Sequence, residues 1–187
     1  EPKAVEVLYR QFLGLSKSPE DYAKRIRRDA AAYPEGAILA LALPAYGLAN
    51  HAMAHPESGA ECRGAIDRLI QLASQRWTRE WLEAPMREDV HRLRRWNGHG
   101  VYLGHYCLML CCYRLAGGDA KYAEHQQQIA EVLRQGFRSQ RSGAWVPSYP
   151  HRAWAFDCLP CLLAVRLTDV QDGRDLNASG KLVADHL

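Results

Sequence analysis

The chain has 187 residues, 48% of them hydrophobic and 24% charged, with a formal net charge of +3. That length and composition suit a globular domain with a sizeable core, expected over 1–187. So small a charge argues against nucleic acid as a partner. The basic runs Lys24-Arg25-Ile26-Arg27-Arg28 and Arg92-Leu93-Arg94-Arg95 are interleaved with apolar residues at helical spacing, as solvated helix faces are.

Val5, Leu8, Phe12 and Leu15 share one face, which predicts an amphipathic helix over 4–15. Ser18-Pro19-Glu20-Asp21 is a helix start. Ser18 suits the cap, Pro19 the first turn, and the acids the positive end of the dipole. This second helix is expected to end near Ala32, where Tyr33-Pro34-Glu35-Gly36 breaks it. A third helix, 37–54, is apolar nearly all round, with Pro44 inside it. The uncharged run within it, Gly36–Ala49, is shorter than the roughly 20 residues of a spanning helix, so no membrane span is expected.

A one-sided helix is expected over 60–77, then an apolar one over 100–115. Gly117-Gly118-Asp119 ends the latter and introduces an amphipathic helix over 120–137. After a loop, 139–150, comes an apolar helix over 153–167, and 170–187 reads as a polar, disordered tail. Strand patterns are missing throughout. The fold class is therefore all-α. Apolar helices alternate with one-sided ones, as inner and outer layers of repeated antiparallel helical hairpins would.

An internal repeat supports the hairpins. Tyr33-Pro34-x-x-Ala37 followed by Leu43-Pro44 recurs as Tyr149-Pro150-x-x-Ala153 followed by Leu159-Pro160 at the same spacing. A weaker match aligns Arg114-Leu115 with Arg166-Leu167.

With these residues, and with the aromatic segment Asn97-Gly98-His99-Gly100-Val101-Tyr102-Leu103-Gly104-His105-Tyr106, the chain resembles the α/α-toroid superfamily of six-hairpin barrels. That superfamily includes glycoside hydrolases, polysaccharide lyases, sugar epimerases and linalool dehydratase-isomerases. The resemblance spans roughly 4–169. It implies an arc or part of an (α/α) toroid, because a six-hairpin ring needs about twice this length, and a fold of this kind hosts many chemistries. It also implies a ligand site where the inner helices start.

Those starts carry the candidate residues. Tyr33 and Glu35 stand at the first; His99, Tyr102, His105 and Tyr106 at the second; and Tyr149, His151, Arg152, Trp154 and Asp157 at the third. Aromatics beside acids and histidines suit a cleft that stacks apolar faces and transfers protons. Asp157, His105 and Glu35 are the candidate catalytic residues, and Tyr33, His99, Tyr102, Tyr106, Tyr149, His151, Arg152 and Trp154 the candidate substrate contacts. Asp157 is an acid in an otherwise apolar helix, which asks either for an active role or for a structural ion pair with an arginine such as Arg152. His105 aligns with Asp157 in the weaker repeat and is either a general base or a satisfied core histidine. His99, between two glycines, is a ligand contact or an ordinary turn residue.

Glycoside hydrolysis needs two carboxylates across the bond, and only Glu35 and Asp157 stand at inner-helix starts. No pair among His99, His105 and His151 has the i,i+4 spacing of a zinc helix, and HExxH is missing, so no metal is expected. With no phosphate loop, Rossmann fingerprint or GxSxG, no cofactor is expected.

Cys158-Leu-Pro-Cys161 has redox spacing, but lies within an apolar helix. It reads with Cys62, Cys107, Cys111 and Cys112 as buried small hydrophobes. The expectation is a soluble enzyme or enzyme fragment, cytoplasmic or periplasmic, acting on a small-molecule or glycan ligand. A second copy or a partner would complete the ring. The alternatives are a non-catalytic helical-repeat binding module or a structural one.

Overall fold

The computed structural model describes residues 2–87, 89–93, 96, 98–140, 145–149 and 152–186. Among them all regular structure is helical, and the one extended pairing is a bridge between Tyr149 and Arg152. The described residues form nine α-helices, in order α1 (Pro2–Lys17), α2 (Pro19–Ala30), α3 (Gly36–Ala54), α4 (Gly59–Ala73), α5 (Glu80–Met86), α6 (Gly100–Leu115), α7 (Ala123–Arg138), α8 (Ala155–Gln171) and α9 (Leu176–His186). Single 3-10 turns lie between several of them. The chain forms two compact units, one of residues 1–79 with 112–120, the other of 80–111 with 121–187.

In the first unit α3 is the hub, packing on α1, α2 and α4. Its small apolar residues make this possible: Ala37, Ile38, Leu41, Ala42, Ala45, Leu48 and Ala49 are all buried. A Cβ at Gly47 would stand 2.5 Å from the Phe12 ring, so the glycine lets α1 lay that ring on the α3 backbone. By length and composition alone α3 could cross a membrane, yet half of its apolar window is buried inside the protein, as a core helix requires. Ser18 stands at the start of α2, as expected, with Pro19 in its first turn. The serine side chain makes no capping bond, however, and the helix begins on its carbonyl, which accepts from Tyr22 N–H at 3.0 Å.

In the second unit the first three turns of α6 are buried on every side. α8 reaches them closely because residue 104 is glycine: a Cβ there would stand 3.1 Å from the Cys161 backbone nitrogen. A buried polar knot ties α6, α7 and α8. The Gln126 amide nitrogen donates to Thr168 Oγ1 (3.0 Å) and Gln171 Oε1 (2.8 Å) and lies 3.2 Å from Cys111 Sγ, while Gln171 donates to the Cys111 carbonyl at 2.9 Å. The buried pair Arg134–Asp169 joins α7 to α8, with Glu131 3.0 Å from the same guanidinium.

Two elements depart from expectation. The polar stretch 170–187 carries α9, which packs on α8 and receives bonds from Arg166 to the Leu176 carbonyl (2.6 Å) and Ser179 Oγ (3.0 Å). α8 is not buried on several sides: Phe156, Leu159, Leu163 and Val170 line an exposed face.

Candidate active site

The starts of α6 and α8 lie at one end of the second unit. Gly98, at φ 82°, turns the chain into α6 in a conformation open to glycine. The first N–H groups of α6 have no partner within the helix. The 145–149 segment supplies them: Gly100 N–H donates to the Pro147 carbonyl (3.2 Å) and Val101 N–H to that of Ser148 (3.3 Å). Ser148 Oγ then accepts from the Trp154 N–H at 3.0 Å, and Tyr149 and Arg152 exchange two backbone bonds of 3.1 Å. Cys161, in the second turn of α8, donates its thiol to the Gly100 carbonyl at 3.3 Å.

The candidates are distributed unequally. His99 is fully buried, and Tyr102 and Tyr106 are buried and stacked, with centroids 5.6 Å apart and planes 10° from parallel. Tyr149 tilts against Trp81 at 5.7 Å. Arg152 and Trp154 are exposed, Trp154 by 56%. His151, like Asn97, lies outside the described residues. Asp157 is buried in the first turn of α8. Its charge helps push the Cys158 and Cys161 thiols up, after burial, the main cause for both. No ion pair joins Asp157 to Arg152 among the described residues. His105 is buried, and burial lowers its pKa to about 4, which keeps it neutral at ordinary pH.

Tyr33 and Glu35 belong to the first unit, at the start of α3. Tyr33 is 53% exposed and, with Tyr22, Arg25 and Asp29, lines a cavity of about 270 Å³. The two carboxylates considered for glycoside hydrolysis thus stand in different units.

All six cysteines are free and buried, and burial raises the thiols of Cys62, Cys158 and Cys161. Cys107 is raised well above its ordinary value, by its bond to Cys111 first and then by burial. A thiol so placed is no thiolate nucleophile, and the Cys158–Cys161 spacing lacks the electropositive setting of a redox pair. No three His, Cys, Asp or Glu side chains converge on a shared metal position among the described residues.

The densest chemistry involves two residues that periodicity passes over. His91 sits in the single turn Val90–Arg92. Glu83 Oε1 accepts from the Val90 N–H (3.0 Å), and Asp89 Oδ1 from the His91 N–H (3.0 Å), which together fix that turn. The imidazole of His91 meets Tyr102 Oη at 2.7 Å through Nε2 and His125 Nε2 at 3.0 Å through Nδ1. The His91 and His125 rings stack at 5.1 Å and 13°, and Tyr106 meets both edge-on. Burial lowers the pKa of His125, opposed by a bond to the Gln128 side chain and by the charge of Asp89.

A neutral imidazole carries one proton on two nitrogens. The Tyr102–His91–His125 chain therefore has two opposite hydrogen-bond orders, and switching between them moves a proton along its length. A loop histidine and one histidine on a polar helix face carry no pattern in sequence. The one available signal was Tyr102 itself, a hydroxyl in an apolar helix that needs a partner.

A second histidine pair, also unremarked in sequence, lies in the first unit. His51 stacks on Tyr9 (3.7 Å, 11°) and tilts against His55 (4.5 Å), beside an apolar cavity of about 260 Å³.

No known family matches this chain. Nor does any curated protein match it significantly.

Proposed function

We propose that the chain is an enzyme, or part of one, of α/α-toroid type that transfers protons to and from a small or carbohydrate-like substrate at the end of the second unit where α6 and α8 begin. The observation that carries this reading is the Tyr102–His91–His125 hydrogen-bonded chain, 2.7 and 3.0 Å long at its two links. Three groups that each donate and accept, leading from a buried phenol to two half-buried imidazoles, form a general acid–base relay. Burial keeps His125 deprotonated near neutral pH, the state a base requires. Trp81, Tyr149 and Trp154, on the same unit, offer ring faces suited to the apolar side of a sugar. Asp157 and the neutral His105 remain acid–base candidates, and the hairpin-ring arrangement is part of the proposal.

The test is turnover on a panel of aryl glycosides, polyuronides and small hydroxylated terpenoids. His91→Asn or His125→Gln should lower kcat by about 10²- to 10⁴-fold with the helical circular dichroism unchanged. Turnover that survives both changes would remove the relay from the mechanism. Nitrogen-15 spectra add a readout that needs no substrate. His125 should titrate below the ordinary histidine range, and its chemical shifts should respond to Tyr102→Phe through His91.

One observation favours a second reading, a non-catalytic interaction module. Phe156, Leu159, Leu163 and Val170 along α8 are each 48–66% exposed, as is Trp154 just before it. A contiguous apolar stripe of this kind marks an interaction surface. On that reading Leu163→Glu changes the mass in solution and leaves any turnover unaltered.

A further inference from the structure

Several arginines here face a carboxylate. Arg10, Arg28, Arg92, Arg134, Arg138 and Arg174 each have one within 4 Å. Arg27 and Arg68 have none among the described residues, and both line one groove of the first unit, between α2 and α4. Lys24, Glu20, Gln71 and Gln75 line it with them, enclosing about 390 Å³.

Neither guanidinium is loose. Arg68 donates through Nε to the Ser16 carbonyl (2.9 Å) and through Nη2 to Ser16 Oγ (3.2 Å), two neutral acceptors that fix its plane without cancelling its charge. Arg27 lies over the Trp77 ring, 5.0 Å from its centroid, and Gln75 Oε1 holds the Trp77 indole N–H at 2.6 Å. Among the described residues Lys24 has only the exposed, 3.5 Å contact with Asp21, which a competing anion displaces readily.

We infer that this groove binds a small oxyanion, a phosphate or carboxylate carried by a compact soluble molecule. Three cations face one acid in a concave site, and two of them are ordered before any ligand arrives, so little side-chain entropy remains to be lost on binding. A guanidinium fork matches the paired oxygens of either anion, and Arg68 keeps Nη1 available. Glu20, Gln71 and Gln75 add polar groups suited to hydroxyls on the same molecule. The groove measures about 390 Å³, near the lower end of small-molecule sites, which run from about 300 to 1,000 Å³.

Calorimetric titration of the full chain at low ionic strength, with pyrophosphate and separately with citrate, tests this inference. One probe should bind saturably at a single site, and backbone amide shifts should cluster at Arg27, Arg68 and Gln71. Arg27→Gln should weaken binding roughly tenfold or more. Arg28→Gln removes an equal charge that pairs with Asp29 off the groove, and should change binding by less than about twofold. Arg68→Lys keeps the charge and loses the fork. It should weaken binding while the melting temperature reports whether the hold on Ser16 survives.

Three results each overturn the inference: neither probe saturating in the millimolar range, Arg28→Gln weakening binding as much as Arg27→Gln, or binding seen only with vesicles of phosphatidic acid.

Discussion

Pro44 has no N–H to offer the carbonyl of Ala40, four residues back in α3, and the Tyr22 hydroxyl takes that place at 2.5 Å. One side chain of α2 thus completes the hydrogen bonding of α3 where the proline interrupts it. The same burial that makes the bond useful raises the Tyr22 pKa. At the other helix proline, Pro160, the carbonyl left over belongs to Phe156, a residue that is 66% exposed. Tyr22→Phe keeps the ring packing and removes only the hydroxyl. It should cost about 1–2 kcal/mol, read as a lower urea midpoint at an unchanged slope. An unaltered midpoint would mean that water reaches the Ala40 carbonyl after all. Both prolines were readable as interruptions of apolar helices. The tyrosine that compensates was not, because nothing local in the sequence marks a donor on another helix.

At the scale of elements, α7 and α8 meet through charge as well as apolar area. Arg134 and Asp169 are both buried, and Glu131, about half exposed, shares the guanidinium. Removing one member of a buried pair strands the other in a poor solvent, at about 3–5 kcal/mol. Asp169→Asn should fall near 3 kcal/mol, since Glu131 still screens Arg134. Replacing both partners together, as Arg134→Met with Asp169→Leu, should recover much of that loss. A double variant as unstable as the single one would show that the pair does more than satisfy its own desolvation. Long helices with a continuous apolar or one-sided pattern, α1 to α4 and α6 to α8, were legible to within a few residues. α5 and α9 were not: each is short, and their stability comes from docking rather than from a pattern of their own. The Glu83 and Asp89 bonds that position His91 escaped sequence reading for the same reason, since they form only once α5 and its following turn are in place.

For the molecule as a whole, pH is the simplest probe of what burial has done to the second unit. His105 is only 2% exposed, and its pKa falls from 6.5 to about 4. In the unfolded chain it takes up a proton near pH 6.5, whereas in the folded unit it does so only near pH 4. Its contribution is therefore complete above pH 6.5 and is lost progressively as pH falls to about 4. Over that window the loss is about 3 kcal/mol, and His125, lowered in the same direction, adds to it.

Tryptophan fluorescence separates the two units, because Trp77 belongs to the first and Trp81, Trp96, Trp145 and Trp154 to the second. Urea unfolding at pH 7.5, 5.5 and 4.5 should show the second unit's transition moving to lower urea on acidification. With Trp77 as the only tryptophan, the reported midpoint should move less. His105→Gln lowers stability at neutral pH but removes the titrating group, so its midpoint should depend on pH more weakly than that of the unaltered chain. Equal pH slopes for the two would show that His105 is protonated in the folded state as easily as in the unfolded one, and the buried start of α6 would have to be wetter than its packing implies.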